Sequence, residues 1–114
     1  MSLTIKDVLS VTTDFQVEKV DVSQWWGGSV FVRTLSGNRR DQLDELFNDK
    51  KKSRRGMRAS IVSLSWCNEA GEFQDVSPGD VEALGDRSGD ALDKLCDACI
   101  QLSGLTDVEA EVKN

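Results

Sequence analysis

Histidine is missing from this 114-residue chain, and with it goes the commonest general base and the usual metal ligand. Hydrolytic triads built on imidazole are excluded. Proline occurs once, at Pro78, and no repeat, low-complexity tract or linker divides the sequence. A single domain over 1–114 is expected, because a chain of this length buries roughly two-thirds of its unfolded surface in one modest core. No apolar run approaches the ~20 residues of a membrane-spanning helix, and the opening MSLTIKDVLS lacks a basic end and an apolar signal core. A cytoplasmic protein with no membrane partner is expected. Three cysteines, an odd number, fit reduced thiols better than a disulfide framework.

What is present is the composition of a soluble globular domain, 39% hydrophobic and 30% charged, with only 6% aromatic residues and a mean hydropathy of -0.37. The net charge of -6 argues against nonspecific DNA binding, and no nucleic-acid partner is expected. The charge is uneven, however. KKKSRRGMR (50–58) holds six of the fourteen basic residues, which leaves 8 - 20 = -12 on the remainder. A solvated loop between helices is preferred for this segment over a phosphate-contacting or acidic-partner patch.

Two runs read as strands. In FQVEKVDV (15–22) Phe15, Val17, Val20 and Val22 stand among charged neighbours, and SVFVRTL (29–35) sets Val30, Val32 and Thr34 on one face and Phe31, Arg33 and Leu35 on the other. Gly27 and Gly28 between them permit a tight reversal. The resulting hairpin, about 15–35, must lie on helices to bury a core. Consecutive side chains on an extended segment point opposite ways, so Trp25 and Trp26 are expected one inward and one outward.

The rest reads as helices over about 36–104. Thr4, Ser36, Ser77 and Ser88 are placed to cap helix starts, Pro78 suits a first helical position, and Gly85 and Gly104 suit helix ends. Leu43, Leu46 and Phe47 form one apolar stripe; Leu92, Leu95, Cys96, Cys99 and Leu102 form a better one. MRASIVSLSWC (57–67) fits strand and helix periods alike, and its length without turn residues favours a buried helix. NEAGE reads as a turn in which Asn68 and Gly71 tolerate unusual backbone angles. The tail, 105–114, has few apolar residues and is expected to be weakly ordered. The expectation is an α+β fold, predominantly helical, with an N-terminal β-hairpin packed on a bundle of about four to five short α-helices.

Candidate chemistry is thin. Cys96 and Cys99 spell a C-x-x-C motif, but zinc needs a second ligand pair and only Cys67 remains. The pair lies in mid-helix on the apolar stripe, where small core residues are expected. Glu69, Glu72 and Asp75 do not match the calcium-loop spacing, and GGSVFVRTLSG lacks the Lys-Ser/Thr of a phosphate loop. No catalytic residue, cofactor or metal site is expected, and binding is the default.

In order along the chain, WGGSVFVRTLSGNRRD (26–41), RASIVSLSWCNEAGE (58–72) and DVEALGDRSGDALDKL with LSGL (80–105) resemble the tail assembly chaperones of long-tailed bacteriophages and prophages. The resemblance implies a non-enzymatic protein that coats the tape measure protein before tail polymerisation, keeps its apolar helices soluble and helps recruit tail tube subunits. It implies residence in the host cytoplasm and absence from the finished virion. It also implies a frameshifted longer product that contacts the tube protein. A chaperone that binds one long helical client repeatedly needs exposed apolar surface and should self-associate head to tail, since heterologous contacts that do not close give a spiral. Trp25, Trp26 and Phe31 are the candidate interaction residues, because aromatic anchors dominate interfaces. The alternative is that both indoles only complete the hairpin core. Rival functions are a structural completion or connector subunit of the tail, and a small nucleic-acid-associated regulator using 50–58.

Overall fold

The computed structural model describes residues 1–49 and 55–105. Residues 50–54 of the basic segment and 106–114 of the tail lie outside them. The order of elements is α1 (Ile5–Leu9), β1 (Val17–Asp21), α2 (Ser23–Trp26), β2 (Ser29–Arg33), α3 (Gly37–Asn48), α4 (Met57–Ser65), β3 (Trp66–Cys67), α5 (Pro78–Gly85) and α6 (Gly89–Ser103). The fold is α+β and predominantly helical, as the periodicities predict.

Helix starts follow the caps. Ser36, Ser77 and Ser88 each accept from the backbone N–H three residues on, at 3.3, 3.2 and 3.4 Å, which satisfies one of the donors a first turn leaves unpaired. Gly104 ends α6 with φ 63°. On α6 the residues Leu92, Leu95, Cys96, Cys99 and Ile100 are buried, so the stripe becomes the core face. Leu105, assigned to the tail by sequence, belongs to this core instead: it is fully buried, and its N–H donates to Ile100 O at 2.9 Å.

The sheet is antiparallel, ordered β1-β2-β3. Val20 pairs with Val30 and Glu18 with Val32 in the hairpin, while Val32 and Phe31 pair with Trp66 and Cys67 on the other edge of β2. The helix expected through Cys67 therefore stops at Ser65, and the chain turns extended at Trp66, with φ -64° and ψ 129°. The helical period holds to Ser65, and Val62 and Leu64, which alternate with Trp66 in the sequence, lie on the helix. Helix α6 packs across β1 and β2, and α4 packs on α6 with α3 and α5 beside it. The shared core joins Val20, Val30 and Val32 of the sheet to Leu43, Ile61, Val62 and Leu95 of the helices.

Candidate protein-interaction surfaces

The hairpin connection is not a two-glycine reversal. Val22 O accepts from Trp25 and Trp26 N–H at 3.1 and 2.8 Å, making the single helical turn α2, and Gly27 closes it at φ 79°. That left-handed angle is one that side chains rarely adopt, so the first glycine acts as a helix end. Asp21 starts the turn by accepting from Ser23 N–H at 2.9 Å, and the hydrogen bonds from Ser23 hold its carboxyl below the usual range. Lys94 Nζ donates to Asp21 O at 2.6 Å and ties the tip to α6. On a helical turn neighbouring rings need not oppose one another. Both Trp25 and Trp26 are half-buried and pack against the core, in place of one ring inward and one outward.

Phe31 leaves β2 on the face opposite buried Val30 and Val32, half-buried, with Lys19 Nζ 6.0 Å from its ring centre. The structure thus does not gather the three candidate aromatics on one face. Further along the same outer face is an assembly that the sequence did not reveal. The Arg33 guanidinium lies between the rings of Phe15 (3.7 Å) and Phe73 (4.0 Å), and Arg39 stacks on Phe73 at 4.0 Å. Arg33 also donates to Gly71 O at 2.8 Å and Thr34 O at 3.0 Å. Arg39 donates to Leu64 O at 3.0 Å and pairs with Asp75 at 3.3 Å. A planar cation with a fork of donors can serve stack and carbonyls together, which an ammonium cannot. The assembly joins the start of β1 to β2, the 68–73 turn and α3.

Two apolar features remain. The N-terminal arm, 1–14, is exposed throughout, and α1 buries no residue. Ile5 and Leu9 keep 76% and 74% of their surface, and Met1, Leu3, Val8 and Val11 are exposed as well. Yet α1 is well capped: Thr4 accepts from Asp7 N–H at 3.2 Å and Asp7 accepts from Thr4 N–H at 2.9 Å. These bonds hold the Asp7 carboxyl below its usual range. The second feature is an open cleft between α3 and α5, floored by α4, with Leu46, Leu64, Val76 and Val81 along it and Arg39 at one side. The Thr4 cap is legible in the sequence, whereas the lack of cover over the short helix behind it is not. The one hint was its length, because five residues do not hold a helix unaided.

The reactive groups are occupied structurally. All three cysteines are thiols, and all are buried. Burial pushes Cys99 up to about 12 and raises Cys67, whose shift the nearby Arg33 cation partly offsets. Among the described residues no group of three metal-ligating side chains comes together, and no described helix is long and apolar enough to cross a membrane. Of the basic segment, Arg58 pairs with Asp93 of α6 at 2.5 Å.

The geometry defines a class of molecule, a small α+β domain with an exposed apolar N-terminal arm and an open cleft between α3 and α5. No protein-family profile matches the sequence, and no curated protein does. Among solved structures, the tail assembly chaperone of bacteriophage HK97 is similar to this chain with a TM-score of 0.60 and 17% identity, covering 86% of this chain and 91% of that one. The chain has the fold of that chaperone over nearly its whole length.

Proposed function

We propose that this chain is a tail assembly chaperone of a long-tailed phage or prophage. It binds the tape measure protein, keeps its apolar helices soluble, and helps recruit tail tube subunits, acting without catalysis or cofactor. The observation that carries this reading is the shared fold, which accounts for 86% of this chain and 91% of the HK97 chaperone. The exposed arm, the half-buried Trp25 and Trp26 and the open cleft offer apolar surface of the kind such binding needs. In this reading the protein works in the host cytoplasm, self-associates head to tail along its client, and leaves before the virion is complete. Contact with the tube protein runs through a longer, frameshifted product.

Quantifying the chain in phage extracts and in purified particles tests this against the structural-subunit reading. The chaperone reading expects it with tape measure protein in assembly intermediates and not in finished tails. A fixed copy number in finished tails would make it a tail component instead.

A further inference from the structure

We infer that the cleft between α3 and α5 is a socket for one aromatic side chain of the client, a tyrosine, whose ring stacks on Arg39 and whose hydroxyl bonds to Ser63. This deepens the binding proposed above and rests on it. With a volume of about 480 Å³ the cleft has the size of a small-ligand pocket, room for a single side chain. Leu46 of α3, Leu64 of α4 and Val81 of α5 are each half-buried along it, so an inserted ring meets apolar atoms from three helices.

Arg39 selects an aromatic ring. A guanidinium donates in its own plane and stacks through its faces. The edge of Arg39 is engaged by Leu64 O at 3.0 Å and by Asp75 at 3.3 Å, and Phe73 covers one face at 4.0 Å. Arg39 nevertheless borders the cleft, so what it offers an occupant is its second face and the stem beneath. A ring there adds the next member to a row that already alternates Phe15, Arg33, Phe73 and Arg39, spaced 3.7, 4.0 and 4.0 Å. A carboxylate is disfavoured, because Asp75 already answers this cation and Glu45 and Asp49 edge the adjoining recess beside Leu46 and Leu64. Ser63 selects a hydroxyl. It lines the cleft, 5% exposed, and its Oγ is buried with no hydrogen-bond partner among the described residues, a condition that buried polar groups rarely keep. A change of χ1 from one staggered position to another brings Oγ toward the cleft, where a phenolic O–H can donate or accept. Phenylalanine fills the same space but leaves Ser63 without a partner.

The test follows amide NMR shifts of the isotopically labelled full-length chain during titration with N-acetyl-tyrosinamide, N-acetyl-phenylalaninamide and N-acetyl-leucinamide. Saturable shifts are expected at Ser63, Leu64 and Val81, with the tyrosine probe bound roughly fivefold more tightly than the leucine probe and roughly threefold more tightly than the phenylalanine probe. Ser63→Ala removes an unpaired buried hydroxyl, so it should melt no lower than the unmodified chain, and the two aromatic probes should then bind alike. A leucine probe that binds as well as the tyrosine probe overturns the proposal, as do cleft shifts that never saturate. So does a preference for tyrosine over phenylalanine that survives Ser63→Ala. Should that variant fail to fold, the order of the probes on the unmodified chain decides. A tape measure protein left insoluble by this chain sinks the chaperone reading whatever the probes show, whereas a silent cleft beside a solubilised client sinks only the socket.

Discussion

Replacing Gly71 by alanine isolates the contact that fastens the start of the hairpin to the 68–73 turn. Gly71 has φ 87°, and a Cβ there would come within 2.7 Å of Phe15 Cζ, nearer still to Cε2, and 3.2 Å from Val17 Cγ2. The left-handed angle alone costs an L-residue about 1–2 kcal/mol. The ring must also move, and it is the same ring that stacks on Arg33 at 3.7 Å, so a further ~0.5–2 kcal/mol of cation–π contact is at risk. Together these predict a loss of about 1.5–4 kcal/mol. Gly104→Ala is the control, since φ is 63° there and nothing lies within 4 Å of an added Cβ; it should lose only the angular part. Urea titration at neutral pH reads both losses, provided the m-value is unchanged. In a Phe15→Ala background only the 3.2 Å approach to Val17 Cγ2 remains, so Gly71→Ala should cost little more than Gly104→Ala. Equal losses at the two glycines in the unmodified chain, or a Gly71→Ala loss indifferent to Phe15, would refute the packing described for this corner.

Arg33→Lys keeps the charge but loses the flat surface between Phe15 and Phe73 and the forked donation to Gly71 O and Thr34 O; a loss of about 2 kcal/mol is expected by urea titration. Cys99 has a folded pKa raised from 9.0 to about 12, so its contribution to stability is complete below pH 9 and is lost as pH rises toward 12. Thiol labelling at pH 8 should be slow at all three cysteines until denaturant is added. The Asp7 carboxyl is depressed by its Thr4 bonds, so its effect runs the other way: the capped turn is favoured above the ordinary value of 3.8 and released as pH falls through the depressed one. Carboxyl NMR shifts of the unmodified chain and of Thr4→Ala should differ in Asp7 midpoint, with the variant titrating higher.

Local signals were the most legible part of this chain. Ser36, Ser77, Ser88 and Gly104 act on backbone groups within a few residues, so their roles show in spacing alone, and the core stripe on α6 follows from its period. What escaped was set by partners distant in sequence. Trp66 and Cys67 become a strand because β2 offers a free edge, which no window of 57–67 contains. In the hairpin, two glycines after two tryptophans suggested a reversal, although a glycine directly behind a short run is equally a helix-end signal, and here it is one. The Arg33 stack draws on the start of β1, on β2, on the turn around Phe73 and on α3, and no single stretch carries its pattern. Of the candidate interaction residues, Trp25 and Trp26 lie on the hairpin tip against the core while Phe31 lies on the outer face of the sheet. The arm's exposure could have been suspected from its many apolar residues on too short a helix.

Co-expression of this chain with a tape measure protein encoded in the same genome tests the proposed function most directly, with the fraction of tape measure protein in the soluble lysate as the quantity measured. The account predicts that the tape measure protein moves from the pellet to a soluble complex holding several copies of this chain, and that Trp25→Ala/Trp26→Ala, if its melting is unchanged, reduces the soluble share. Tape measure protein that remains in the pellet, with this folded chain free beside it, would contradict the account.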